Sequence, residues 1–178
     1  VIVSGSISIS EPSEFIATAN LSSPILCHGE SGTVQISTVG GSSNYSATFS
    51  VQAGNHNYTI IDSNGCSSSA SINVTEPDSL IASLYYLPIN CFNGTTTVLI
   101  SAQGGTPPYS GTGSFIVGAG THNFLVTDIN GCSVSQTVTI NQPQQIQVSA
   151  TAGTINCFGG NTTVEVTAQG GLAPYIGT

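Results

Sequence analysis

The sequence predicts an all-β chain built from tandem small β-sandwich repeats of about 66 residues. Three observations carry that expectation. The apolar positions recur with period two rather than 3.6. Gly, Asn, Pro and Ser clusters punctuate the chain every eight to twelve residues. One block of motifs recurs at a fixed spacing, with Pro12, Pro77 and Pro143 closing successive copies 65 and then 66 residues apart.

Within each copy the order of elements is the same. Cys27, Cys91 and Cys157 are each followed thirteen residues later by a glycine pair, Gly40-Gly41, Gly104-Gly105 and Gly170-Gly171, and then by Tyr45, Tyr109 and Tyr175. Between cysteine and glycines lies an alternating stretch: Thr33 to Ser37, Thr97 to Ser101 and Thr163 to Thr167. A second alternating run, His56 to Ile60, leads into Asp62-Ser63-Asn64-Gly65-Cys66, which matches Asp128-Ile129-Asn130-Gly131-Cys132. A third, Ser71 to Thr75, ends at the proline. No stretch carries a helical apolar face with a cap and a stop. Six or seven short strands per copy predict an Ig-like sandwich. Repeats joined by only a few residues around Pro77 and Pro143 predict a semi-rigid rod.

In this register Val1 falls where Cys66 and Cys132 fall, and Thr178 falls where Thr112 falls. The expected division is therefore residues 1–12 as the last strand of a preceding repeat, 13–77 and 78–143 as whole repeats, and 144–178 as the first half of a further one. Such a chain is either a window on a longer array or a protomer whose half-domain a neighbour completes. A neighbour's residues 1–12 would still leave the hairpin equivalent to 113–131 unfilled.

The composition excludes whole classes of function. Eight acidic residues stand against no Lys and no Arg, for a net charge of −8. A chain without cations cannot displace counterions from phosphates, so nucleic-acid binding is excluded. The same absence removes a P-loop lysine, a Schiff-base lysine, an arginine clamp and a Lys–Asn isopeptide crosslink, and leaves trypsin-like proteases nothing to cut. Polarity comes from 26 Ser, 21 Thr and 13 Asn. No apolar run approaches the ~20 residues of a membrane helix, so no membrane insertion is expected.

A domain of this size buries only ~60% of its unfolded surface, and a crosslink would stabilise it. Cys27 with Cys66 would close a 40-residue loop, for which the chain-entropy model assigns roughly 4 kcal/mol. Cys91 with Cys132 would be the same bridge one repeat on, with Cys157 left over. Recurrent pairs of this kind predict an oxidising, extracytoplasmic location. Buried free thiols are the other reading.

Nothing in the sequence assembles a catalytic, cofactor or metal site, and the expectation is a non-enzyme. The Asp-x-Asn-Gly loops at Asp62 and Asp128 resemble the opening of a calcium loop, but no bidentate Glu follows either one. An Asx-type turn with a left-handed glycine accounts for the same residues. His56 and His122 share a strand phase with apolar neighbours and read as core or interface residues. His28 has Phe92 and Phe158 as counterparts and reads as a loop substitution. The carboxylates are too scattered for a glycosidase pair. Sequons at Asn20, Asn44, Asn57, Asn73, Asn93 and Asn161 are candidate glycosylation sites, and at Asn57 and Asn73 the strand phase points them away from the apolar face. A solvated Ser/Thr/Asn surface without sugar is the alternative.

The string Asn156-Cys157-Phe158-Gly159-Gly160-Asn161, the strand after it, Gly170-Gly171 and Ala173-Pro174-Tyr175 resemble the SprB-type repeat of gliding-motility adhesins in Bacteroidota. Gly104-Gly105-Thr106-Pro107-Pro108-Tyr109 and Asp128 to Cys132 match it nearly in full. The resemblance covers essentially the whole chain. It implies a secreted cell-surface repeat protein used for adhesion and surface movement, and Asp78-Ser79-Leu80 looks like an O-glycosylation site of that phylum, at Ser79. Departures at Cys27-His28-Gly29-Glu30 and at Gly40 to Tyr45, His56 and His122 in place of the family's Tyr, and the missing cations point to a specialised fibre. The expectation is a structural or adhesive extracellular protein forming a surface stalk, adhesin or filament, without cofactors. Its partners would be neighbouring repeats, copies of itself or surface polysaccharide. A carbohydrate- or calcium-binding module array is the alternative.

Overall fold

The structure, a computed structural model, describes residues 3–177. The expected endpoints Val1 and Thr178 lie outside them. The described residues are all-β, with twelve strands in five small antiparallel sheets and no helix. The chain divides into two compact units between Ser79 and Leu80, with Gly104–Thr106 counted in the first.

In the first unit, β1 (Ile16–Ser23), β2 (Gly32–Val39) and β3 (Ser46–Val51) form one sheet, and β4 (Gly54–Ile61) pairs with β5 (Ser67–Val74) in a second. The alternation in β2 explains why the layers pack. Val34 and Ile36 point inward against Val51, Tyr58, Ile60, Ile72 and Val74, while Gln35 points out. In the second unit, β6 (Ile81–Tyr86), β7 (Thr95–Gln103) and β8 (Gly113–Gly118) repeat the three-stranded sheet, and β9 (Gly120–Thr127) with β10 (Ser133–Ile140) repeats the hairpin. Val98, Ile100, Val126 and Ile140 are its buried centre. Last come β11 (Gln147–Ala152) and β12 (Val164–Gln169), a two-stranded sheet equivalent to β1–β2 and β6–β7.

The alternating runs of the sequence fall on β2, β7, β12, β4 and β5, with Thr163 and Thr75 just outside the strand ends. Each complete copy has five strands rather than six or seven. The stretch after Tyr109 makes only an isolated bridge, Ser110 to Thr127, and Pro107 and Pro108 before it bring no N–H to a ladder.

The glycine pairs close the β2–β3 turn and its counterparts. Gly40, Gly104 and Gly170 all have positive φ, and a Cβ on any of them would strike a backbone carbonyl, that of Glu14, Ser79 or Gln145. The next residue's N–H donates to the carbonyl of Ser13, Asp78 or Gln144, at 3.4, 2.7 and 2.7 Å. A side chain at the first glycine would therefore push away the segment that enters the unit.

Candidate functional site

Each unit has two ends, and most polar side chains of interest lie at one or the other. At the glycine end, the Asp62 carboxylate organises the β4–β5 turn. Its Oδ1 accepts from the N–H groups of Asn64 (3.0 Å) and Cys66 (2.8 Å), and its Oδ2 from the N–H of Ser42 (3.0 Å). Asp128 repeats this, accepting from Asn130 and Cys132, each at 2.9 Å. Desolvation pushes the Asp62 carboxyl up, but the N–H groups of Cys66, Ser42 and Asn64 and the Ser42 hydroxyl together hold it below its ordinary 3.8. Oxygens that face converging N–H dipoles are poor cation ligands, since a metal would have to displace those donors. Among the described residues no group of three or more His, Cys, Asp or Glu is placed to hold a metal.

At the opposite, proline end, the turn before β2 is tied to the residue preceding Pro77. Gly29 N–H donates to Glu76 Oε2 at 2.6 Å, and His28 Nδ1 lies 3.4 Å from Glu76 Oε1 and 3.2 Å from the Pro77 carbonyl. Asn93 N–H to Gln142 Oε1, 2.8 Å, is the same tie in the second unit. His28 is thus a turn residue.

His56 and His122 are half-buried, and neither has an Asp or Glu among its hydrogen-bond partners. Their Nε2–H groups donate to the carbonyls of Gln52 (2.8 Å) and Gly118 (2.9 Å), four residues back. Both histidines pin the tight passage between the two sheets of their unit. The strand phase placed them at the core edge; the backward bond to the turn was not legible, although recurrence of His at one repeat position was its trace.

The cysteine pairing is corrected by the structure. Cys27 and Cys132 are disulfide-bonded, but Cys66, Cys91 and Cys157 are exposed free thiols, so neither Cys27–Cys66 nor Cys91–Cys132 forms. The reason is geometric. Cys66 follows the Asp62 turn at the glycine end, where Ser42 and Ala17 bond to it and to Ser68. Cys27 lies in the turn at the proline end, beside Glu76. An eight-residue strand separates the ends, roughly 26 Å at ~3.3 Å per residue, whereas a disulfide needs Cα atoms within ~7 Å. Cys91 and Cys132 are separated in the same way. A disulfide on Cys27 and on Cys132 still fits an oxidising compartment, extracellular or periplasmic.

The seven candidate glycosylation residues are all exposed. Asn20, Asn57 and Asn73 are on strands, and Asn44, Asn93, Asn161 and Ser79 are in turns or connections. Asn57 and Asn73 line one shallow groove on the outer face of β4–β5, together with Asn55 and Ser71.

Sequence reasoning missed one surface. On the outer face of β6–β7–β8, Tyr85, Leu87, Leu99 and Ile116 are exposed and line a groove of about 600 Å³ with Thr95 and Thr97. The matching positions of the first unit carry Gln35 and Ser50 in place of Leu99 and Ile116. Its signal was the unbroken apolar runs Val98-Leu99-Ile100 and Phe115-Ile116-Val117, which stand where the first unit alternates as Val34-Gln35-Ile36 and Phe49-Ser50-Val51. No family model and no curated protein matches this chain.

Proposed function

We propose that the chain is a non-enzymatic, extracellular structural or adhesive repeat protein, part of a surface stalk, adhesin or filament of the kind the SprB-type resemblance implies. The observation that supports it is the strand-by-strand repetition. β1–β5 and β6–β10 share their pairing order, their glycine turn, their carboxylate-organised turn and their Glu/Gln tie at the proline end. Repeating one small sandwich extends a molecule without building any new chemistry. Stacked as a semi-rigid rod, such units would carry the glycans that the exposed sequons offer. Surface movement and adhesion would then fall to faces that differ between repeats, as the Leu99–Ile116 groove does.

The test is force extension of the whole chain between two handles. With disulfides reduced, a stalk module gives successive unfolding events, each lengthening the chain by about 65 residues, or roughly 20 nm at ~3.3–3.6 Å per residue. In parallel, the chain is titrated with calcium and with soluble glycans. A calcium-dependent rise in melting temperature, or saturable glycan binding centred on Tyr85, would transfer the assignment to a carbohydrate- or calcium-binding array. The filled Asp62 carboxylate already weighs against calcium.

A further inference from the structure

The outer face of β6–β7–β8 differs in kind from the same face of the other copies. It is built of two cross-strand rows. In one, Tyr85 pairs with Leu99 and Leu99 with Ser114. In the other, Thr97 pairs with Ile116, and Leu87, two residues beyond Tyr85, falls beside Thr97 in the same register. The first unit fills these rows with Asn20, Gln35 and Thr48, and with Ser22, Thr33 and Ser50. On β11–β12 the Tyr85 and Leu99 positions hold Thr151 and Glu165. All five strands of the second unit's own repeat are in place, so no further strand of that repeat would cover the face.

Size and charge say what could. Tyr85, Leu87, Leu99 and Ile116 are 63%, 62%, 48% and 78% exposed. With full areas on the order of 200 Å² each, they present roughly 500 Å² of mainly apolar surface. That is at the upper end for a patch left bare on a monomer and below the ~800 Å² that each side gives to a standard interface. Two such faces together come to about the 1,000 Å² at which a specific but weak contact begins. Of the eight acids, Asp128 alone lies between β6 and β10, and it is buried in its own turn. Two chains of charge −8 repel each other over most of their surface, and this face brings no exposed carboxylate to the contact. A cationic partner would find its acids elsewhere, on the first unit.

We propose that the outer face of β6–β7–β8 pairs side by side with the same face of a second copy of this chain. A two-fold axis parallel to β7 lays Tyr85 of each copy over Ser114 of the other, bulk against gap, and Leu87 over Ile116, with Leu99 meeting Leu99 at the centre. The contact is isologous and closes at two copies. The polar faces of the first unit stay in water, with the sequon at Asn20 on the position that Tyr85 holds in the second. This deepens the structural reading above, naming the partner of the face that differs between repeats, and rests on it. Loss of the pairing would leave the unfolding pattern of the single chain intact, so the two can fail separately.

The experiment is sedimentation equilibrium on the whole chain over about 10 µM to 1 mM, with non-reducing electrophoresis confirming that no disulfide links the copies. The mass of the wild type is expected to rise from 18.0 kDa toward twice that and no further. Leu99→Gln with Ile116→Ser, which installs the residues of the first unit, should weaken the pairing at least about tenfold. Ser114→Tyr sets bulk against bulk and should weaken it as well, whereas Ser114→Tyr with Tyr85→Ser moves the bulk to the other side of each face and restores it. All these positions are exposed, so each variant keeps its β-sheet circular dichroism. Wild type that stays monomeric throughout overturns the proposal, and a monomer that binds a neutral glycan saturably through Tyr85 does so by making sugar the occupant. Association that climbs beyond two copies, that ignores the Leu99 and Ile116 substitutions, or that the Tyr85–Ser114 exchange fails to restore overturns it too.

Discussion

Ile36→Ala and Val166→Ala alter equivalent inward positions of one repeat pattern, and the structure assigns them very different costs. Ile36 is fully buried between β2 and the β4–β5 hairpin. Truncation removes three carbons, about 2.4 kcal/mol of transfer free energy at ~0.8 each. The cavity left among Val34, Val51 and Val74 brings the loss to roughly 3–4 kcal/mol. A unit of this size is stable by only about 3–10 kcal/mol, so one substitution removes a large share. Val166 keeps most of its surface in water, and Val166→Ala should cost less than about 0.5 kcal/mol. Native-state hydrogen exchange reads both. The most protected amides of β1–β5 should exchange about 10² to 10³ times faster in Ile36→Ala, with no comparable change around β12 in Val166→Ala at low micromolar concentration. Equal acceleration in both would refute the reasoning, because it would mean that the β11–β12 face is already covered in the single chain.

Three further outcomes follow from the turns and cysteines. Because the folded Asp62 carboxyl lies below its ordinary value, its contribution is fully present above that value and is lost as pH falls through the folded one. The melting temperature of the wild type should therefore drop more steeply than that of Asp62→Asn below about pH 3.8, and parallel curves would reject the carboxylate's role. Gly104→Ala forces a left-handed φ of 70° on alanine and drives its Cβ into the Ser79 carbonyl. A loss of about 2–5 kcal/mol is expected from strain and overpacking in urea denaturation, and a neutral result would remove the account of the glycine pairs. Thiol titration in denaturant should find three reactive groups before reduction and five after it, and one group before reduction would restore the two within-repeat bridges.

What the sequence made legible was whatever repeats along the chain. The inward phase of Val34 and Ile36, the glycine turns and the carboxylate turns all follow from local spacing, because strand alternation and positive φ are local properties. Which end of the sandwich a residue occupies is not local. Cys27 and Cys66 recur together and close a loop of favourable length, yet the number of strand traversals between them puts them at opposite ends. Periodicity alone counts traversals poorly, and five strands instead of six or seven is enough to change the outcome. His56 shows the same limit from the other side. Its phase was right, but its partner is a carbonyl in a turn that no side-chain pattern encodes.

The missing cations bear on assembly as well as on solubility. Natural edge strands commonly block strand addition with lysine or with a charge pointing inward, and this chain has no lysine to place. Its outer faces are held by hydroxyl pairs across the strands instead, Thr18–Ser37 at 2.9 Å, Thr59–Ser69 at 3.1 Å, Thr121–Thr139 at 3.0 Å and Ser149–Thr167 at 2.6 Å. Such pairs fix the register of each hairpin, but they put no charge on its edge. The Ser149–Thr167 pair fixes the register of β11–β12 in the same way. Glu165, the one charge on that sheet, lies between Val164 and Val166 in the strand alternation and so faces away from the apolar groove. The inner face of β11–β12 therefore carries no charge.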